Sequence, residues 1–112
     1  MGPAVTKKFS VRILLVDDFE PFRRLICSIL KPKQDLSVVS EACDGLEAVR
    51  KAQEYKPDLI LLDIGLPPSN GIEAARQIRK LVPDSQIIFV TQESSPEVVE
   101  EALNVEARGY VF

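Results

Sequence analysis

Ile13-Leu14-Leu15-Val16-Asp17-Asp18 is the stretch whose reading decides the fold. Four apolar residues run without a break and stop at two carboxylates. A strand with one wet face alternates apolar and polar side chains; an unbroken run is what a strand covered on both faces requires. Beyond it, Phe22, Leu25, Ile26, Ile29 and Leu30 keep the i, i+3, i+4, i+7, i+8 spacing of one helical stripe. Pro21 suits the first turn of that helix and Pro32 follows its end.

The alternation repeats along the chain. Leu36 to Ala42, with Val38 and Val39, reads as a second strand. Leu46, Val49 and Gln53, with Ala48 and Ala52, mark a second helix that stops before Pro57. Leu59-Ile60-Leu61-Leu62 is a third strand. Ile72, Ala75, Ile78 and Val82 mark a third helix, ended before Pro83. Ile87-Ile88-Phe89-Val90 is a fourth strand, and Pro96 opens a fourth helix with Val98, Val99, Ala102 and Leu103 apolar. Tyr110-Val111-Phe112 begins a fifth strand. Strands alternating with helices predict an α/β fold, a parallel sheet covered on both faces. Right-handed crossovers leave few topologies. Residues 1–10, carrying Lys7 and Lys8, read as a disordered leader, and 11–112 as one continuous domain.

Composition narrows the function. The chain has 112 residues, 46% hydrophobic and 28% charged, as in an ordinary globular domain. Its net charge of −3 disfavours nucleic-acid binding by this domain, since phosphate contacts need clustered Lys and Arg. No apolar run approaches the roughly 20 residues of a membrane span. Histidine is absent, which removes His catalysis and His metal sites. The two cysteines, Cys27 and Cys43, are too few for a disulfide scaffold. Both lie in apolar-patterned segments and read as small core residues in a reducing cytosol.

In an open parallel sheet, ligands bind beyond the carboxyl ends of the strands. Asp17 and Asp18 follow the first strand, Asp63 the third, and Thr91 the fourth. Singly, each has a plain structural explanation: a helix cap, a turn or a backbone hydrogen bond. Together, three like charges on one edge repel and call for a cation. An all-oxygen site open to water suits Mg²⁺. Beside such an ion, Asp63 is placed to attack phosphorus and carry the group as an acyl phosphate.

These residues, taken in order, resemble a known family. Leu15-Val16-Asp17-Asp18, Leu61-Leu62-Asp63-Ile64-Gly65-Leu66-Pro67, Asn70-Gly71, Val90-Thr91 and Arg108-Gly109-Tyr110 are similar to the CheY-like receiver domain of bacterial two-component response regulators. The Ala107-Arg108-Gly109-Tyr110-Val111 ending and Glu20-Pro21-Phe22-Arg23-Arg24 resemble the NarL/FixJ-type branch. The resemblance implies a flavodoxin-like (βα)₅ sandwich of sheet order 2-1-3-4-5, its fifth helix absent from this chain. It implies that Asp63 accepts phosphate from a sensor histidine kinase. Mg²⁺ would be bound by Asp18 and Asp63 directly, by Asp17 through water and by the backbone carbonyl of Gly65. Thr91 would contact the phosphoryl group and Tyr110 would follow it inward, switching the face built on helix four and strand five. Homodimers would form on phosphorylation, and DNA would be reached only through a C-terminal output domain that controls transcription.

Departures and rivals stand beside this expectation. Receivers carry a Lys after strand five, and Phe112 is the last residue here, which reads as trimming. Leu66 replaces a common Met, and Gln92 is bulkier than usual. The acidic run Glu93, Glu97, Glu100, Glu101 and Glu106 reads first as a solvated face. A haloacid-dehalogenase-like phosphatase needs an Asp where Gly65 stands. A nucleotide or flavin binder needs a Gly/Ser/Thr-rich turn where Asp17-Asp18 stands. A phosphorylation-incompetent pseudo-receiver, acting as an interaction module, is the remaining alternative.

Overall fold

A computed structural model describes residues 10–63 and 70–90. Within them the order is β1 (Val11–Val16), α1 (Glu20–Leu30), β2 (Leu36–Ala42), α2 (Gly45–Tyr55), β3 (Leu59–Asp63), α3 (Asn70–Leu81) and β4 (Gln86–Val90). The strands form a parallel sheet of order β2-β1-β3-β4. This is the expected α/β architecture and the first four places of the 2-1-3-4-5 order. The expected fourth helix and fifth strand lie outside the described residues.

The unbroken apolar runs follow from two covered faces. Ile13 and Leu15 of β1 and Leu59 and Leu61 of β3 pack with Phe22, Ile26 and Leu30 of α1. The alternate residues, Leu14, Val16, Ile60 and Leu62, pack on the other face with Ala48 and Ala52 of α2 and Ala75 and Ile78 of α3. One sheet between two helical layers buries every residue of β3, down to Asp63 at its tip. At the opposite end, Asp58 laces three strands. Its carboxylate accepts the Arg12 N–H at 2.8 Å, its own N–H donates to the Arg12 carbonyl and its carbonyl accepts the Gln86 N–H.

The register of β1 and β2 is broken once. Ile13 pairs with Val38 but Leu14 pairs with Ser40, so Val39 is an extra residue, a β-bulge. A strand alternates faces, so one inserted residue exchanges the faces of all that follow. Glu41 thereby pairs with Leu15 and lies on the α1 side.

The helical stripes are narrower than the spacing predicts. Leu46, read as part of the α2 stripe, is 83% exposed, and α2 buries Gly45, Ala48 and Ala52 instead. Small residues let that helix lie close to the sheet, and the larger side chain falls outside the contact. Ile72 on α3 and Leu25 on α1 are exposed for the same reason: one contact line of a helix is narrower than its apolar face. Cys27 is half-buried against the α1 core, but Cys43 is exposed, correcting its expected place in the core. It sits just before the α2 N-cap, Asp44, whose side chain accepts the Glu47 N–H at 2.8 Å. The Glu47 carboxylate reaches back to the Cys43 N–H at 2.8 Å, a capping-box arrangement moved out by one residue. Among the described residues no helix is long and apolar enough to cross a membrane.

Candidate functional site

The sheet register builds the site. β1 and β3 run parallel, and their last paired rung is Val16 with Leu62. The next residues are Asp17 and Asp63. Asp63 pairs in turn with Val90 of β4, and the Asp17 N–H donates to the Ala42 carbonyl of β2 at 3.0 Å. Backbone pairing to both neighbouring strands thus fixes where these side chains start. Asp17 is fully buried, Asp63 is 4% exposed, and Asp18 is exposed. Each offers a carboxylate oxygen, and the three lie within 4.8 Å of one another. The convergence expected from neighbouring first and third strands is present.

The Asp17 carboxylate also has a local duty. Its Oδ1 accepts the Phe19 N–H at 2.8 Å, an Asx turn that leads the chain from β1 into α1. Phe19 is the N-cap of α1 and supplies no side-chain hydrogen bond, so Asp17 turns the chain without capping the helix itself. The local turn therefore leaves Asp17 in its place within the carboxylate cluster.

The donor set suits a hard divalent cation. All three groups offer oxygen, with no thiol or imidazole among them. Mg²⁺ holds ligands at about 2.1 Å, so trans oxygens stand about 4.2 Å apart. The observed 4.8 Å limit reaches that with small side-chain rotations, or with one carboxylate acting through water. Exposed Asp18 opens the cluster on the solvent side, where a metal that keeps its waters needs room.

A second layer of groups lies behind the cluster on the α1 side. Arg23 Nη1 donates to the Asp17 carbonyl at 2.5 Å, and Arg23 Nε donates to Glu41 Oε1 at 2.9 Å. Arg24 also pairs with the Glu41 carboxylate, and the Cys27 thiol lies 3.8 Å from Glu41 Oε2. The Arg24 hydrogen bond holds the Glu41 carboxyl below its ordinary range; burial opposes this and Arg23 adds to it. Burial pushes the Cys27 thiol up. The hydrogen bond to Glu47 pushes the Cys43 thiol up, so neither cysteine is an activated nucleophile. Arg23 and Glu41 are the residues that sequence reasoning missed. Their signal is the loss of strand alternation at Val38-Val39, which marks the bulge that turns Glu41 toward α1.

Gly65, Thr91 and Tyr110, the other expected site residues, lie outside the described residues, as do Gln92 and the acidic run from Glu93 to Glu106. Thr91 follows directly on Val90, the β4 residue paired with Asp63.

Comparison with known proteins agrees with this geometry. The family described as "Response regulator receiver domain" matches residues 13–112. The chain is 34% identical over 102 residues to the transcriptional regulatory protein LnrK of Bacillus subtilis, covering 91% of this chain and 46% of that protein. It is 37% identical over 103 residues to the response regulator protein VraR of Staphylococcus aureus, covering 92% of this chain and 49% of that protein. It therefore spans about half the length of these curated relatives. Among solved structures, the response regulator domain of Thermotoga maritima CheB superposes with a TM-score of 0.69 at 40% identity, over 85% of this chain and 72% of that one. A LuxR-family response regulator from Aurantimonas sp. SI85-9A1 superposes with a TM-score of 0.79 at 28% identity, over 91% and 88%. Fold, strand-tip carboxylates and sequence converge: the chain belongs to the response regulator receiver domain family, the CheY-like signalling module of two-component systems.

Proposed function

We propose that this domain takes a phosphoryl group onto Asp63 from the phosphohistidine of a sensor histidine kinase, with Mg²⁺ held by Asp17, Asp18 and Asp63. The observation that carries this reading is the trio of carboxylates gathered at the tips of β1 and β3. An Asp63 oxygen attacks phosphorus, the P–N bond breaks, and the imidazole leaves with the electron pair and takes up a proton. The metal supplies positive charge against the oxygens of the transferring group. Asp17, buried and tied to the backbone, gives the site its fixed wall. Asp18 faces solvent on the side from which an incoming group arrives. The product is an acyl phosphate on a side chain, so the domain is modified once per signal and does not turn over a substrate.

In the same reading, the backbone carbonyl of Gly65 completes the protein ligands. Thr91 contacts the phosphoryl group and Tyr110 is its switch partner, a local charge event that biases a two-state element. Residues 11–112 form the receiver, 1–10 a leader. Phosphorylation favours a homodimer, and an output domain beyond this chain binds DNA to control transcription. LnrK, a transcriptional regulatory protein of about twice this length, supports that last step. The free thiols of Cys27 and Cys43 suit a reducing cytoplasm.

Incubation with acetyl phosphate and Mg²⁺, read by intact-mass spectrometry, tests the reading. The chain gains one phosphoryl group; Asp63→Asn gains none, and neither does the wild type in EDTA. Equal labelling of wild type and Asp63→Asn would refute Asp63 as the acceptor.

A further inference from the structure

Arg23 and Glu41 belong to no part of the cation site, yet the fold brings both to its back wall. The β-bulge at Val39 puts Glu41 on the α1 face, level with Leu15 and one residue short of the end of β2. Bulges beside sites commonly re-aim one side chain. Here the re-aimed side chain meets Arg23, which is only 16% exposed. The guanidinium has a fork of donors in one plane. Its Nε goes to Glu41 Oε1 at 2.9 Å and its Nη1 to the Asp17 carbonyl at 2.5 Å.

The acceptor matters. The Asp17 carbonyl is half of the peptide unit that joins Asp17 to Asp18. On its other side, the Asp17 N–H is held by the Ala42 carbonyl. Asp17 is therefore gripped at both ends, and rotation of the 17–18 peptide, which would swing Asp18 away from Asp17 and Asp63, is the motion that the Arg23 contact resists. We propose that Arg23 is a positioning residue for the divalent-cation site: held by Glu41 from the bulged end of β2, it fixes the peptide between Asp17 and Asp18 and with it the angle between their carboxylates. This deepens the cation reading above and rests on it. Groups that orient metal ligands commonly change affinity by about 10- to 100-fold when removed.

The sign of the effect separates positioning from charge. Arg23 is a cation near a cation site, so deleting its charge alone would tighten Mg²⁺ binding. Positioning predicts the reverse. The test titrates the ¹⁵N-labelled chain with MgCl₂ and reads ¹H–¹⁵N spectra, which report folding and Kd together. Arg23→Met binds Mg²⁺ about tenfold more weakly than wild type. Arg24 still pairs with Glu41 in that variant, so no carboxylate is left stranded. Arg23→Lys keeps the charge and the aliphatic stem but not the fork, and also binds several-fold more weakly; it decides the matter if Arg23→Met does not fold. Ser85→Ala is the control for lost stability. It removes a buried hydroxyl bonded to the Pro57 carbonyl at the far end of the sheet and leaves Kd unchanged. Wild-type binding with both Arg23 variants equal or tighter overturns the role of Arg23 alone. Absence of Mg²⁺ binding by the wild type overturns the cation reading as well.

Discussion

Replacing Asp63 with Asn stabilises this domain in the absence of divalent cations and removes its response to them. The magnitude follows from the site. Two unit charges 4.8 Å apart, at an effective dielectric near 20, repel by about 3.5 kcal/mol. Asp17 and Asp63 are both buried, so this bound applies most closely to them. Asp18 is exposed, and its repulsion from Asp63 is screened to about 1 kcal/mol or less. Charge centres lie farther apart than the nearest oxygens, which lowers the total. Asn keeps one carbonyl oxygen for hydrogen bonding. The net expectation is a gain of about 1–3 kcal/mol, or roughly 4–12 °C in Tm for a domain of this size. Mg²⁺ at ten times its Kd adds about 1.4 kcal/mol to the wild type by linkage, and much less to Asp63→Asn. Far-UV circular dichroism melts of both proteins, in EDTA and in Mg²⁺, read all four values. Asp63→Asn no more stable than wild type in EDTA, or an equal Mg²⁺ response in both proteins, would refute the argument that repulsion among these carboxylates is what the cation offsets.

Three further outcomes check the packing and the electrostatics. Ile78→Ala, at a fully buried position between α3 and the sheet, costs about 2–5 kcal/mol in urea unfolding, whereas Leu46→Ala, at 83% exposure, changes stability by about 0.5 kcal/mol or less. Lys56 ends α2 in the left-handed region at φ 45°, so Lys56→Gly holds or raises Tm while Lys56→Val lowers it. The Glu41 carboxyl titrates below its ordinary value of 4.5 in the folded chain. Its contribution is therefore full above that value and disappears as pH falls through the lower folded one. The stability gap between wild type and Glu41→Gln, followed by urea unfolding against pH, is widest above that ordinary value and closes under acid.

The fold was legible because two covered sheet faces leave a mark that few alternatives share. Ile13 to Val16 and Leu59 to Leu62 are apolar at every position, and Pro57 and Pro83 punctuate the segments between them. The site was legible for a related reason. Parallel strands end together, so carboxylates that directly follow apolar runs arrive at one edge, and Asp17, Asp18 and Asp63 do. Helix faces were read less well. Leu46 and Ile72 keep helical spacing, but Ala48, Ala52, Ala74 and Ala75 make the close contacts, and spacing alone does not reveal which side of an apolar stripe a helix leans on. Cys43 was misplaced because a turn joining two apolar segments looks like either of them. Arg23 and Glu41 escaped notice because their partnership depends on the one-residue bulge at Val39, whose mark in the sequence, two adjacent valines, is shared by any strand covered on both faces.

Anomalous diffraction from crystals of the chain grown with Mn²⁺, a close mimic of Mg²⁺, tests the central claim most directly. The account predicts one strong peak bounded by the carboxylates of Asp17, Asp18 and Asp63 at the tips of β1 and β3. Bound Mn²⁺ elsewhere on the molecule, with that position empty at saturating metal, would contradict it.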